Sequence, residues 1–280
     1  MEIVLDTDIG SDVDDLLALA MLLGSPEWTV TAVSTVYGDT LLRARMVHRA
    51  YRLARRPAPP IAAGAREAHS GRPVWWAGHE GKLMPDLAGE QVDTSLDATS
   101  MLRDGTTVAA IGPLTNVADA LAGPHRIERL VIMGGNFTAG EPEHNIKCDV
   151  TAARTVFDAG VPALVTGIDQ TERVVLDDDS ITAVRSCGAL GELLAAEIRQ
   201  FRTWLGRPDS PHDAVAVLAA TRPELFTTVP GWIRVDSEGV TTLEPQAGGP
   251  HRVVVDLDAP AVLREIVSRV CRAATVEADR

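Results

Sequence analysis

The pattern of hydrophobic and polar positions changes twice within the first 23 residues. An apolar run over residues 2–5 is followed by the acidic segment 6–15 and then by a continuous apolar run over 16–23. A short apolar run that ends in a turn predicts a buried strand, and a longer one predicts a buried helix. We therefore expect a strand, a tight turn at Gly10 and a helix that begins near Asp14.

The rest of the chain repeats this alternation. Strands are predicted over 28–36, 61–64, 106–111, 130–133 and 161–166, and helices over 41–56, 115–121 and 150–159. Residues 65–92 have little regular pattern, residues 175–222 are mainly helical, residues 231–256 are strand-like, and residues 260–274 form a closing amphipathic helix. Alternating strands and helices predict one α/β domain over 1–280, with an open, mostly parallel sheet covered by helices on both faces.

Five carboxylates occupy the turn between the first strand and the first helix: Asp6, Asp8, Asp12, Asp14 and Asp15. Helix capping and the helix dipole stabilise acidic side chains here by roughly 1 kcal/mol each, which accounts for one or two of them. A hard divalent cation would account for the others, because it prefers several carboxylate oxygens as ligands. The alternative is a capped helix in a solvated acidic loop, which leaves Asp6 and Asp8 unexplained.

Other polar residues also follow predicted strands. In an open parallel sheet, ligands bind beyond the carboxyl ends of the strands. The residues expected at this edge are Asp6, Asp8, Gly38, Asp39, Gly112, Gly134, Asn136 and Asp169.

Two later segments carry candidate chemistry. Asp213 begins an apolar helix and is either a first-turn capping acid or a remote cation ligand, and the adjacent His212 can exchange a proton near neutral pH. The segment from Glu143 to Asn145 is either a polar loop or a set of partners for sugar hydroxyls, which Glu accepts from and Asn both accepts from and donates to.

Composition excludes several classes of partner. With 26 Lys and Arg against 39 Asp and Glu, the net charge is 26 − 39 = −13, which disfavours nucleic acid and anionic membranes. No apolar run approaches the ~20 residues that span a bilayer. The three cysteines show neither metal-ligand spacing nor a disulfide framework, so we expect a reducing, cytoplasmic environment.

Two classes of protein use some of the residues described so far. An aspartate-nucleophile phosphatase also places Asp-x-Asp after its first strand and uses Mg²⁺. It needs a later lysine, and neither Lys82 nor Lys147, the two lysines of the chain, has that context. The second class is a non-catalytic protein that binds a sugar or nucleoside and has the metal site but no turnover. Dinucleotide and phosphate-loop fingerprints are absent from the sequence, and Ser210 lies in no nucleophile elbow.

The segment from Leu5 to Gly10, with Asp14 and Asp15, resembles the signature of the inosine-uridine-preferring nucleoside hydrolases. Later segments resemble further motifs of this family in the same order, namely Thr35-Val36-Tyr37-Gly38, Leu114-Thr115-Asn116, Met133-Gly134-Gly135, Glu143-His144-Asn145 and His212-Asp213.

The resemblance implies an open α/β fold, a tightly held Ca²⁺, and a homodimer or homotetramer. It implies hydrolysis of the N-glycosidic bond of ribonucleosides to ribose and free base, through a metal-bound water and an oxocarbenium-like transition state. By position, the metal ligands would be Asp8, Asp15, the carbonyl of Ile111, and Asp213. Asp8 would also be the general base, and His212 would lie near the leaving base. The ribose contacts would be Asp14, Asp39, Met133, Asn136, Glu143 and Asn145.

The chain departs from the family pattern at several positions. Ile9 replaces a common proline, and an insertion that contains Asp12 leaves open whether Asp12 or Asp14 meets the sugar. Asp39 stands where many members have Asn, and His144 replaces a common Phe.

The choice of base should lie in the irregular segments 65–92 and 200–211. Their aromatic side chains could stack on a base or could equally pack as a lid; they are Trp75, Trp76, His79 and Trp204.

Overall fold

The predicted alternation of strands and helices is confirmed in the computed structural model, which describes residues 1–275. Within these residues the strands are β1 (Glu2–Thr7), β2 (Thr29–Thr35), β3 (Ile61–Ala63), β4 (Thr107–Ala110), β5 (Arg129–Met133), β6 (Ala163–Thr166), β7 (Phe226–Val235), β8 (Thr241–Pro245) and β9 (His251–Leu257). The helices are α1 (Asp14–Leu23), α2 (Thr40–Leu53), α3 (Ala98–Asp104), α4 (Thr115–Leu121), α5 (His144–Cys148), α6 (Val150–Asp158), α7 (Ile168–Thr171), α8 (Asp178–Arg185), α9 (Gly188–Leu205), α10 (His212–Ala219) and α11 (Ala259–Thr275).

The nine described strands form one sheet in the order β3-β2-β1-β4-β5-β6-β9-β7-β8. The first seven strands of this order are parallel, whereas β7 runs antiparallel to both β9 and β8. The chain leaves β1 toward β2 on one side and returns to β4 on the other. Strand order therefore reverses between β1 and β4, and a crevice at such a reversal is where open α/β sheets bind ligands.

Side chains of β1 alternate between the two faces of the sheet, as a strand requires. Ile3 and Leu5 pack into one apolar core with α1, α2, α9, α10 and α11, while Val4 packs into a second core with α3, α4 and α6. Helices therefore cover both faces. Because both cores consist of buried, closely packed apolar side chains, the loops at the carboxyl end of the sheet stand on a rigid base.

The cysteine prediction is wrong in one respect. Cys187 and Cys271 form a disulfide between the α8–α9 connection and α11, with their Cα atoms 5.0 Å apart. The two residues are 84 positions apart in sequence, so their spacing gave no indication of the pair. Cys148 is a free, buried thiol.

Most of the predicted element boundaries agree with the structure to within a few residues. Segment 65–92 contains one short 3-10 turn, Leu87–Gly89, and is otherwise irregular, as predicted. No helix among the described residues is long and apolar enough to cross a membrane. The predicted single domain also includes residues 276–280, which lie outside the described part of the chain.

Candidate active site

A cavity of about 360 Å³ opens at the carboxyl end of the sheet, beside the reversal between β1 and β4. It brings together residues that lie up to 205 positions apart, from the β1–α1 turn to the start of α10. Nine of the predicted site residues line it: Asp8, Asp14, Asp15, Ile111, Met133, Glu143, Asn145, His212 and Asp213.

The β1–α1 turn places its carboxylates in this cavity through an unusual backbone. Gly10 has φ = +118°, which side-chain-bearing residues rarely adopt, and a Cβ there would lie 2.7 Å from the Met46 side chain. After this turn, α1 begins at Asp14, so Asp14 and Asp15 occupy its first turn and favour the positive end of the helix dipole.

Three carboxylates form the most compact acidic group of the cavity. Oxygen atoms of Asp14, Asp15 and Asp213 all lie within 4.8 Å of one another, and all three residues are buried. Burial, followed by repulsion from neighbouring aspartates, raises the pKa of each well above 3.8. An all-oxygen group with this much uncompensated charge fits a hard divalent cation.

Asp8 lies beside this group, at the end of β1. Gly112 leaves room for its carboxylate, because a Cβ at position 112 would come within 2.6 Å of the Asp8 Oδ1 atom. Burial raises the pKa of Asp8, and the Arg43 guanidinium opposes that rise. The Ile111 carbonyl accepts a hydrogen bond of 3.0 Å from the Asn145 amide, which still leaves it a second lone pair.

Glu143 and Asn145 form the opposite wall of the cavity. The Glu143 carboxylate accepts hydrogen bonds from the backbone N–H groups of Gly135, Asn145 and Ile146, so it caps α5 and is held in place. The two N–H groups of the Asn145 amide donate to the carbonyls of Ile111 and Met133. Asn145 can therefore serve a sugar hydroxyl only as an acceptor.

Two predicted ribose contacts do not line the cavity. Asp39 is exposed and caps α2, where it accepts a hydrogen bond from the Leu42 N–H at 3.1 Å. The Asn136 side chain accepts from the backbone N–H groups of Thr138 and Ala139 within its own loop. In both residues a local backbone donor occupies the side chain that the sequence assigned to the sugar.

His212 lies in the cavity wall and its ring is held from behind. Its Nδ1 atom is 2.6 Å from the hydroxyl of Thr171, a fully buried residue of α7. Burial, with a smaller contribution from Arg207, lowers the pKa of His212 to about 4. The hydrogen bond to Thr171 leaves Nε2 as the ring nitrogen available for other partners.

Several residues of the site were not predicted. Arg43 is fully buried behind Asp8, and Asp209 is a buried acid that lines the cavity. The helical spacing of α2 could have indicated that Arg43 is buried, because Arg43 lies on the same buried stripe as Ala44, Val47 and Ala50. Asp209 follows Pro208 in an irregular loop, where no periodicity indicates which side chains are buried.

Aromatic rings surround the mouth of the cavity and connect segment 65–92 to the end of α9. The Trp75 and Trp204 rings are 5.9 Å apart, and Phe201 stacks on Trp204 at 5.5 Å. The His144 ring centroid is 5.1 Å from that of Trp75. Trp75 is 40 % exposed and Trp204 is 51 % exposed, so both leave apolar surface for a flat ligand.

Fold and site together define an open α/β protein with a buried acidic cavity suited to a divalent cation, and comparison with known proteins places the chain in a family. Residues 3–264 match the family model described as inosine-uridine preferring nucleoside hydrolase, so the chain belongs to that family. It is 34 % identical to the pyrimidine-specific ribonucleoside hydrolase RihA of Klebsiella pneumoniae, with 86 % of each chain covered.

Solved structures agree. The purine-preferring ribonucleoside hydrolase from Gardnerella vaginalis has a TM-score of 0.85 and 25 % identity, over 98 % of this chain and 99 % of that one. The plant nucleoside hydrolase PpNRh1 has a TM-score of 0.81 and 25 % identity, over 96 % and 98 % of the two chains. The chain is thus a ribonucleoside hydrolase, and its family membership disfavours the non-catalytic alternative. The phosphatase alternative also lacks support, because neither Lys82 nor Lys147 lines the cavity.

Proposed function

We propose that this enzyme hydrolyses the N-glycosidic bond of ribonucleosides with the help of one Ca²⁺ ion. The ligands would be carboxylates of Asp8, Asp15 and Asp213 and the carbonyl of Ile111, with Asp14 at the sugar. The observation that carries this proposal is the compact group formed by Asp14, Asp15 and Asp213, whose buried oxygens lie within 4.8 Å of one another and close enough to Asp8 that, besides burial, the charge of Asp8 raises the pKa of Asp15. Oxygen-only ligands favour Ca²⁺ over softer metals.

The charge of the cavity suits the reaction. Breaking the bond between ribose and base builds positive charge on the sugar, as in the oxocarbenium-like transition state of glycoside hydrolysis. Carboxylates fixed around that position stabilise the transition state more than the neutral substrate, which is the requirement for catalysis. When bound, the cation would orient two sugar hydroxyls and a water and would lower the pKa of that water.

Each side chain then has a defined task. Asp8 accepts the proton of the attacking water, because its carboxylate lies against the cation group and Gly112 leaves it room to do so. Glu143 and Asn145 accept hydrogen bonds from ribose hydroxyls, since their positions are fixed by α5 and by two backbone carbonyls. His212 faces the leaving base, where its Nε2 atom can supply a hydrogen bond.

The base would lie at the aromatic mouth, against the exposed faces of Trp75 and Trp204. Relatives differ in the base that their names specify, pyrimidine in the Klebsiella protein and purine in the Gardnerella protein. A stacking site of two partly exposed indoles accepts flat rings of either size. We therefore propose activity on both classes, with a homodimer or homotetramer as the working form.

A nucleoside panel tests the proposal directly. Purified enzyme is incubated with inosine, adenosine, uridine and cytidine, and reducing sugar and free base are measured with Ca²⁺ and with a chelator. We expect equimolar ribose and base, lost in chelator and restored by Ca²⁺. Full turnover in chelator would reject the metal, and the absence of product from every nucleoside would reject the substrate class.

A further inference from the structure

Arg43 is a buried cation whose position the proposed mechanism does not yet use. It lies on α2, is 0 % exposed, and faces the β1–α1 turn that carries Asp8. A buried guanidinium is costly unless its donors are satisfied. Its partners therefore show what it holds in place.

Those partners lie on both sides of the turn. Arg43 Nη1 donates to the carbonyls of Asp8 and Ile9, the latter at 2.7 Å, and Nη2 donates to the Ser11 hydroxyl at 3.1 Å. Nε donates to the Tyr37 carbonyl at 2.7 Å, which fixes the guanidinium to the end of β2. Nη2 is also 4.0 Å from Oδ2 of Asp8. The guanidinium of Arg43 thus holds the backbone of the turn and also faces the carboxylate of Asp8.

Segment 65–92 covers the other face of this guanidinium. The Trp76 ring centroid is 5.0 Å from the Arg43 guanidinium carbon. From the same segment, Glu80 accepts a hydrogen bond of 3.1 Å from the Ser11 hydroxyl. The turn is therefore held between α2 and the segment, and its backbone has little freedom to rotate about Gly10.

We propose that Arg43 is a positioning residue for hydrolysis, which holds the carbonyls of Asp8 and Ile9 so that the Asp8 carboxylate stays directed into the cavity. This inference rests on the proposed role of Asp8 as general base. The task needs a fork of donors in fixed directions, which arginine has and lysine lacks. A misplacement of a catalytic group by 1 Å costs on the order of 10²-fold in rate.

Three variants measure this role. Arg43→Lys keeps the charge and loses the fork, and we expect kcat to fall by about tenfold while KM changes much less. Arg43→Met loses both the charge and the fork of donors, and we expect kcat to fall by about 10²-fold. Arg49→Met is the matched control, because Arg49 is a nearly buried arginine on the same helix that pairs with Glu90 outside the cavity. Its kcat should equal that of the wild type.

A double-mutant cycle separates positioning from a merely structural role. Because Arg43 acts through Asp8, adding Arg43→Lys to Asp8→Asn should lower kcat by less than about twofold. Full additivity of the two losses would overturn the inference, and so would wild-type kcat in Arg43→Lys. If Arg43→Met does not fold by circular dichroism, the lysine variant and the cycle decide the matter. Undiminished turnover in Asp8→Asn alone would instead reject the proposed base and remove the basis of this inference.

Discussion

Two buried charge clusters of this enzyme are built in opposite ways. Near α11, Arg269 is 2 % exposed and donates to both carboxylate oxygens of Glu27 and to Glu265, each at 2.8 Å. At the cavity, Asp14, Asp15 and Asp213 face one another, and among the described residues no arginine or lysine lies within ion-pair distance of any of the three. The first arrangement neutralises its charges and joins α11 to the connection after α1. The second leaves negative charge that can stabilise a bound cation and the positive charge that develops on the sugar.

The direction of the pKa shifts expresses the same contrast. Hydrogen bonds from Arg269 lower the pKa of Glu27 below its ordinary 4.5. Burial raises the pKa of each cavity aspartate. Paired charges thus favour the folded state, whereas the cavity is held together by the surrounding fold at a cost in stability. Such strained, uncompensated groups are typical of functional sites.

The largest expected effect is on chemistry. Asp8→Asn keeps the shape of the side chain and removes its basicity, so we expect kcat to fall by roughly 10²-fold or more. The melting temperature should change little, because the amide fits the space beside Gly112. Steady-state kinetics on two nucleosides and a thermal melt measure both quantities. A near-normal kcat on every nucleoside would contradict the assignment of Asp8.

Arg269→Met should have the reverse profile. Removing one partner of a fully buried ion pair costs about 3–5 kcal/mol. Because the Glu27 side chain is 36 % exposed, we expect a smaller loss, about 2 kcal/mol in the free energy of unfolding. Denaturant titration measures the loss, and kcat/KM should stay at the wild-type value. A loss of activity in the folded variant would show that the two clusters are coupled.

His212→Ala tests the leaving-base side of the cavity. A natural base leaves poorly and needs a hydrogen bond, whereas a nitrophenolate leaves without one. We expect the variant to lose about tenfold more activity on inosine than on a nitrophenyl riboside. Rates on the two substrates provide their own control, since a general disturbance lowers both. Equal losses would remove His212 from this role.

The smallest effect concerns acid stability. A lowered folded-state pKa means that Glu27 contributes stability above about pH 4.5 and loses it as the pH falls through the lowered value. The stability difference between wild type and Arg269→Met should therefore be constant near neutral pH and narrow below about pH 4.5. Urea titrations across this range measure the gap. A stability difference that stays constant down to about pH 3 would show that neither Glu27 nor Glu265, the two carboxylates that accept hydrogen bonds from Arg269, is the linked group.

Sequence analysis predicted the parallel sheet and the residues of the β1–α1 turn, because apolar periodicity and a cluster of carboxylates can both be read from neighbouring positions in the sequence. It also singled out Asp213 as a candidate remote cation ligand with His212 beside it, and both line the cavity. Asp39 and Asn136 do not line the cavity in the structure, and their side chains accept hydrogen bonds from nearby backbone N–H groups. Arg43 and the Cys187–Cys271 disulfide were missed because their partners are set by tertiary packing, not by spacing along the chain.

Calcium binding tests the central claim most directly. After chelation and desalting, Ca²⁺ is titrated calorimetrically into the wild type, into Asp213→Asn, and into Asp179→Asn, an exposed acid of α8 that makes the same change in charge. We expect one tight site per chain in the wild type and in Asp179→Asn, and much weaker binding in Asp213→Asn. No binding by the wild type, or equal affinity in all three proteins, would contradict the account.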